Sequence, residues 1–198
     1  MSDEMNLVKR ARSGDVAAFE QLIEDYQKRI FSIAFRMIQN QEDAADLTQE
    51  VIIKIFKNLD KFKGDAKFST WVYRITTNTC LDELKKARRQ NPTYSLDKEI
   101  ETDEGSLAGQ LPDKRPTPEE SAERKAVRSG VNAAIGKLGD EHRQVIVLRD
   151  IQGFSYEEIA EILNCSVGTV KSRISRARKN LKKILSQDRE LFADYFVQ

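Results

Sequence analysis

The chain has 198 residues, with 33 Lys plus Arg against 32 Asp plus Glu and a formal net charge of +1. That length suits one ordinary domain or two small ones, at roughly 100–200 residues per domain. No apolar run approaches the ~18 residues of a membrane span, and Met1 to Arg12 contains no apolar signal core, so membrane insertion and secretion are not expected.

Charged residues make up 33% of the chain, above the usual ~25%. A high charge fraction at near-zero net charge points to helices with solvated faces. Cys80 and Cys165 lie far apart and form no CxxC or Cys/His pair, which excludes a disulfide framework and a zinc site. Both read as small core residues in a reduced, cytoplasmic protein. The single histidine, His142, stands at a helix start and reads as a capping or surface residue. No metal, cofactor or catalytic group is expected. With few Gly and Pro and no strand-like alternation, the expected fold is all-α. It consists of two small helical domains, 1–90 and 118–185, joined by a flexible linker at 91–117 and followed by a tail at 186–198.

In the first block, an opening helix capped by Ser2 or Asp3 ends at Ser13-Gly14-Asp15, which can cap a second helix. That helix carries Phe19, Leu22, Ile23, Tyr26, Ile30, Ile33, Ala34 and Met37 at spacings of three and four, one apolar face. A third helix covers roughly Glu42 to Leu59, with Ala44, Leu47, Val51, Ile55 and Leu59 on one side. Asp43, Asp46, Gln49 and Glu50 line the other, and Ile52, Ile53 and Phe56 add more apolar surface than one core stripe requires. A protein-binding face and a solvated acidic face both fit this pattern.

The fourth helix, from near Ser69, mixes Phe68, Trp71 and Val72 with amides and hydroxyls and ends in Lys85, Lys86, Arg88 and Arg89. Aromatic rings with cations suit unpaired bases, although plain core packing explains Phe68, Trp71 and Val72 as well. Arg74, Thr77, Asn78 and the basic run are better placed to reach nucleic acid. The linker that follows holds Pro92, Pro112 and Pro116, more acids than bases, and no apolar period.

The second block opens with a helix near Glu119 to Leu138, then one from His142 to Ile151 closed by Gly153. Ser155 with Glu158 forms a capping box for a helix ending at Leu163, Asn164-Cys165 makes a turn, and Ser166 caps a last helix. Its buried stripe is Val167, Val170, Ile174, Ala177, Leu181 and Ile184. The other face holds Thr169, Lys171, Ser172, Arg173, Arg176, Arg178, Lys179, Lys182 and Lys183, and Ser166 to Leu185 contains no acid. Like charges four apart repel. In a major groove the same charges release counterions and reach phosphates and base edges, so the pair reads as a DNA-binding helix-turn-helix.

Three segments, in this order, resemble the bacterial RNA polymerase sigma factors of the extracytoplasmic-function (ECF, group four) class. They are Asp43 to Phe56, Lys67 to Asn78, and Leu148 to Arg178. The resemblance implies that Asp46, Gln49, Glu50 and Ile53 contact the clamp helices of the largest polymerase subunit. It implies that the loop Asp60 to Lys67, with Lys63 and Lys67, holds a flipped base of the minus-ten element. Trp71, Arg74 and Asn78 would read the opened strand, and Lys85, Arg88 and Arg89 would meet its backbone. In the second domain it implies that Thr169 fixes a phosphate and that Lys171, Ser172, Arg173, Ser175, Arg176 and Arg178 face the minus-thirty-five element, with Ser175 short for that role. The implied partners are core RNA polymerase, including the flap of the second-largest subunit, promoter DNA and an anti-sigma factor. The linker would thread the RNA exit path. The tail beyond Ser186 gains no role from the resemblance.

Two other classes compete. A repressor or response regulator would need a receiver domain, ligand pocket or dimer helix, and none is recognisable. An enzyme would need a phosphate loop, a metal cluster or more than one His.

Overall fold

A computed structural model of the chain describes residues 2–90 and 118–187. The expected linker at 91–117 and nearly all of the expected tail lie outside the described residues.

Four helices form the N-terminal block: α1 (Ser2–Arg12), α2 (Val16–Ile38), α3 (Gln41–Asn58) and α4 (Phe68–Gln90), with a 3-10 turn at Leu59–Lys61. Short polar residues set the boundaries. The Asp15 carboxylate accepts from the Ala18 amide at 3.0 Å and starts α2. The Asn40 side chain accepts from the Asp43 amide at 3.1 Å and starts α3. Between them Gln39 turns the chain in the left-handed region, at φ 63°. The expected apolar face of α2 is buried along its whole length, from Phe19 to Met37. Phe68 and Val72 of α4 are also core, and Phe68 packs edge-on against Tyr26 and Phe62. Full burial of side chains of this size contributes about 1.5–3 kcal/mol each.

Four more helices form the C-terminal block: α5 (Pro118–Gly136), α6 (Asp140–Ile146), α7 (Tyr156–Leu163) and α8 (Val167–Leu185). The helix expected from His142 to Ile151 starts two residues earlier and changes character midway. Val147–Ile151 forms a π-helical turn, in which the Gln152 amide reaches back five residues to the Val147 oxygen at 3.0 Å. Gly153, at φ +77°, then reverses the chain into the Ser155 cap.

The two blocks pack directly on each other, and their buried residues form one contiguous cluster. Tyr73 of α4 meets Phe154 edge to face, with ring centres 5.0 Å apart, and the Arg29 guanidinium lies 5.2 Å from the Phe154 ring centre. Gln152 Nε2 donates to Ser32 Oγ at 2.8 Å. The approach of α5 to the end of α2 is close. A Cβ at Gly136 would stand 3.0 Å from Cγ of Gln39.

Candidate nucleic-acid and polymerase interfaces

The helix-turn-helix is built by local hydrogen bonds. The Glu158 amide donates to Ser155 Oγ at 3.1 Å, and the Ser155 amide donates back to Glu158 Oε2 at 2.9 Å, closing the expected capping box. Asn164 takes the left-handed conformation, φ 50° and ψ 51°, and lets the Cys165 amide bond the Ala160 oxygen at 3.0 Å. Ser166 caps α8 by accepting from the Thr169 amide at 3.0 Å, and its hydroxyl also meets that of Thr169 at 2.8 Å. Val170, Ile174 and Ala177 anchor α8 in the core. Lys171, Ser172, Ser175 and Arg176 are exposed together on its outer face.

Two of the cations expected on that face are engaged within the block. Arg178 is paired with Asp150 of the π-helical turn, Nε donating to Oδ2 at 3.1 Å, and this pairing raises the Arg178 pKa. Arg173 stands 3.5 Å from Glu141 of α6. His142 lies nearby and only half-buried, its Nδ1 3.2 Å from Asn180 Nδ2.

On α3, Asp46, Gln49, Glu50 and Ile53 are all exposed on one face. Ile53 is 51% exposed and Phe56, one turn on, 47%, an apolar strip beside the acids. Lys54 pairs with Glu50 at 2.6 Å, one turn apart. Phe56 rests edge-on against Phe19, ring centres 4.9 Å apart, which fixes its orientation.

On α4 the expected reading residues fall into two groups. Asn78, Lys85 and Arg89 are exposed, as is Lys63 in the preceding loop. Trp71 is half-buried and packs against Phe62 and Phe68, with ring centres 5.5 and 5.7 Å away. The remaining three meet the other block. Arg74 Nη2 donates to the Glu161 main-chain oxygen at 2.6 Å, Arg88 Nη2 pairs with Asp140 at 2.6 Å, and Lys67 Nζ stands 3.9 Å from Glu158. An open cleft of about 480 Å³ remains beside Arg74 and the turn residues Asn164 and Cys165.

The cysteines differ. Cys80 is fully buried, and burial pushes its thiol up to about 12. Cys165, expected in the core, is only half-buried, because the turn sets it at the edge of that cleft. Sequence reasoning missed Arg143. Its guanidinium is buried and donates to main-chain oxygens of Met37, Gly136 and Leu138. Among the described residues no group of acids, His and Cys could hold a metal, and no helix is long and apolar enough to cross a membrane.

Residues 22–90 match the family Sigma-70 region 2, and residues 130–181 match Sigma-70, region 4. The chain is 38% identical to the ECF RNA polymerase sigma factor SigW of Bacillus subtilis, over 90% of this chain and 94% of that protein. It is also 38% identical to the ECF RNA polymerase sigma-E factor of Escherichia coli K12, over the same shares. Among solved structures it resembles the sigma factor RpoE of Bartonella quintana, in complex with the anti-sigma factor NepR. That match has a TM-score of 0.64 at 26% identity and covers 86% of this chain and 98% of that one. CnrH, in complex with the cytosolic domain of CnrY, matches with a TM-score of 0.63 at 28% identity, covering 95% and 99%. Two matched regions in order, and relatives similar over nearly their whole length, make this chain a member of the ECF class of sigma-70 RNA polymerase sigma factors.

Proposed function

We propose that this sigma factor divides its work among three faces. The stripe Asp46, Gln49, Glu50 and Ile53 on α3 docks on the clamp helices of the largest polymerase subunit. The loop 60–67 and α4 capture the opened minus-ten strand through Lys63, Lys67, Trp71, Arg74 and Asn78, with Lys85, Arg88 and Arg89 on its backbone. The outer face of α8 reads the minus-thirty-five duplex through Thr169, Lys171, Ser172, Ser175 and Arg176, while the C-terminal block rests on the flap of the second-largest subunit. An anti-sigma factor controls the chain in the cytoplasm, as the structurally similar sigma factor RpoE was solved with such a partner.

The chain is a transcription initiation factor and not an enzyme; its contribution is binding energy. Opening a duplex step costs a mean of ~1.4 kcal/mol. Stacking a captured base on an aromatic ring returns about 1–3 kcal/mol. A few captured bases therefore tip melting. Tethering both blocks to one polymerase raises their effective concentration on a joint site.

The observation that carries this reading is the exposure of an apolar residue, Ile53, within an acidic helical stripe of a chain whose helix α8 presents an acid-free face. Run-off transcription with bacterial core polymerase tests it. The chain should confer initiation at promoters that core alone ignores, and Ile53→Asp should abolish it while the fold stays intact. No new start site with the wild-type chain would end the reading.

A further inference from the structure

A single ammonium joins the acidic stripe of α3 to the helix α4. Lys54 Nζ pairs with Glu50 Oε1 at 2.6 Å, one turn back on its own helix, and donates to Thr79 Oγ1 of α4 at 3.3 Å. Its two partners differ in freedom. Thr79 is 4% exposed, fixed in the packed side of α4 and next in sequence to Asn78. The Glu50 side chain is 50% exposed and belongs to the docking stripe. Lys54 meets one carboxylate oxygen, and a carboxylate accepts at both. The charge of Lys54 is also felt by the buried Cys80 thiol of α4, where it opposes the upward push of burial. The ammonium therefore lies inward over α4 rather than out among the acids.

That placement bears on docking. Asp46 and Glu50 make the stripe negative, and a negative face fits a basic partner. A loose lysine within it would repel that partner. A glutamate is a long, rotamer-rich side chain, and one already held in place loses less entropy when the partner arrives.

We propose that Lys54, anchored by Thr79, is a positioning residue that pre-sets the Glu50 carboxylate for core polymerase, so that the docking stripe takes its alignment from the strand-reading helix. This rests on the assignment of Glu50 to the clamp helices made above. Lys54 acts through Glu50.

Biolayer interferometry with immobilised bacterial core polymerase and the full chain in solution tests it. Charge and positioning predict opposite signs. Taking a cation out of an acidic face should tighten docking on a basic partner if charge were all that mattered. Lys54→Met, which keeps an unbranched stem, should instead weaken docking about three- to tenfold. Thr79→Val removes only the anchoring oxygen at nearly the same volume and should weaken docking about two- to threefold. Thr79→Ser, which keeps the hydroxyl, should bind like the wild type. Both losses should vanish in a Glu50→Ala background, where no carboxylate remains to be positioned. A general loosening of the fold would persist there.

Equal or tighter docking by Lys54→Met, wild-type docking by a folded Thr79→Val, or losses that persist without Glu50 would each overturn the proposal. Should Thr79→Val misfold, Lys54→Met, at a side chain 40% exposed, decides by itself. If Glu50→Ala binds core polymerase as tightly as the wild type, the docking role of Glu50 falls and takes the positioning role with it. If Glu50→Ala weakens docking and Lys54→Met does not, only the positioning role falls.

Discussion

The buried guanidinium of Arg143, on α6, donates to the main-chain oxygen of Met37 in the last turn of α2. The same side chain donates to the oxygens of Gly136 and Leu138 at the end of α5. Helix ends leave carbonyls without partners, and their dipole favours a cation there. Arg143 therefore serves two helix ends at once, one in each block. Burial lowers its pKa, and the three carbonyls offset the cost of holding the charge inside.

Arg143→Met should destabilise the chain by about 3 kcal/mol, since it strips buried carbonyls of a charged donor. Arg143→Lys should recover only part, because a compact ammonium does not reproduce the planar fork. The midpoint of urea unfolding measures both.

Ser155→Ala should cost about 1 kcal/mol through loss of the α7 cap, again read from the urea midpoint. Glu158→Gln should cost less, because the side-chain carbonyl oxygen still accepts from the Ser155 main-chain N–H in the capping box.

Exposure and pairing separate the α8 cations. Lys171→Ala should weaken binding of the polymerase holoenzyme to promoter DNA and reduce the salt slope by about 1. Arg178→Ala should leave that slope almost unchanged, because Asp150 already holds its guanidinium. Titrating holoenzyme binding against salt compares the two.

The cysteines should react in order of access. Iodoacetamide at pH 8 should label Cys165 of the native chain and leave Cys80 untouched, because burial holds the Cys80 thiol protonated until about pH 12. Peptide mass mapping before and after denaturation checks this.

Asp15 should shape the acid limb of stability. The Ala18 amide, then Arg10, hold its carboxyl below the ordinary 3.8. A depressed folded pKa contributes stability that is full above the unfolded value and is lost as pH falls through the folded one. Asp15→Asn should therefore flatten the loss of stability below about pH 4, measured by thermal melting across pH.

What could be read from the chain alone was whatever local spacing encodes. Ser155 and Glu158 stand three apart, so their capping box was visible, and Asp46, Gln49, Glu50 and Ile53 share a face by helical period. Phe68, Trp71 and Val72 left two readings open. The structure buries Phe68 and Val72 and leaves Trp71 half-buried. The seam between the blocks was invisible. Arg74 and Glu161 are 87 positions apart, and Arg88 and Asp140 are 52 apart. A basic helix gives no sign in its own sequence of whether it will meet phosphate or carboxylate. The π-helical turn was hidden as well, because its apolar residues also suit an ordinary helix.

Arg74 is held by a peptide oxygen rather than by the Glu161 carboxylate. That asymmetry has an evolutionary meaning. Drift at position 161 can change every side-chain atom and still leave the acceptor in place, whereas a single codon change at position 74 erases the donor. The Arg74 bond is inherited through one of its two ends, while the carboxylate of Glu161 answers to Thr70 instead.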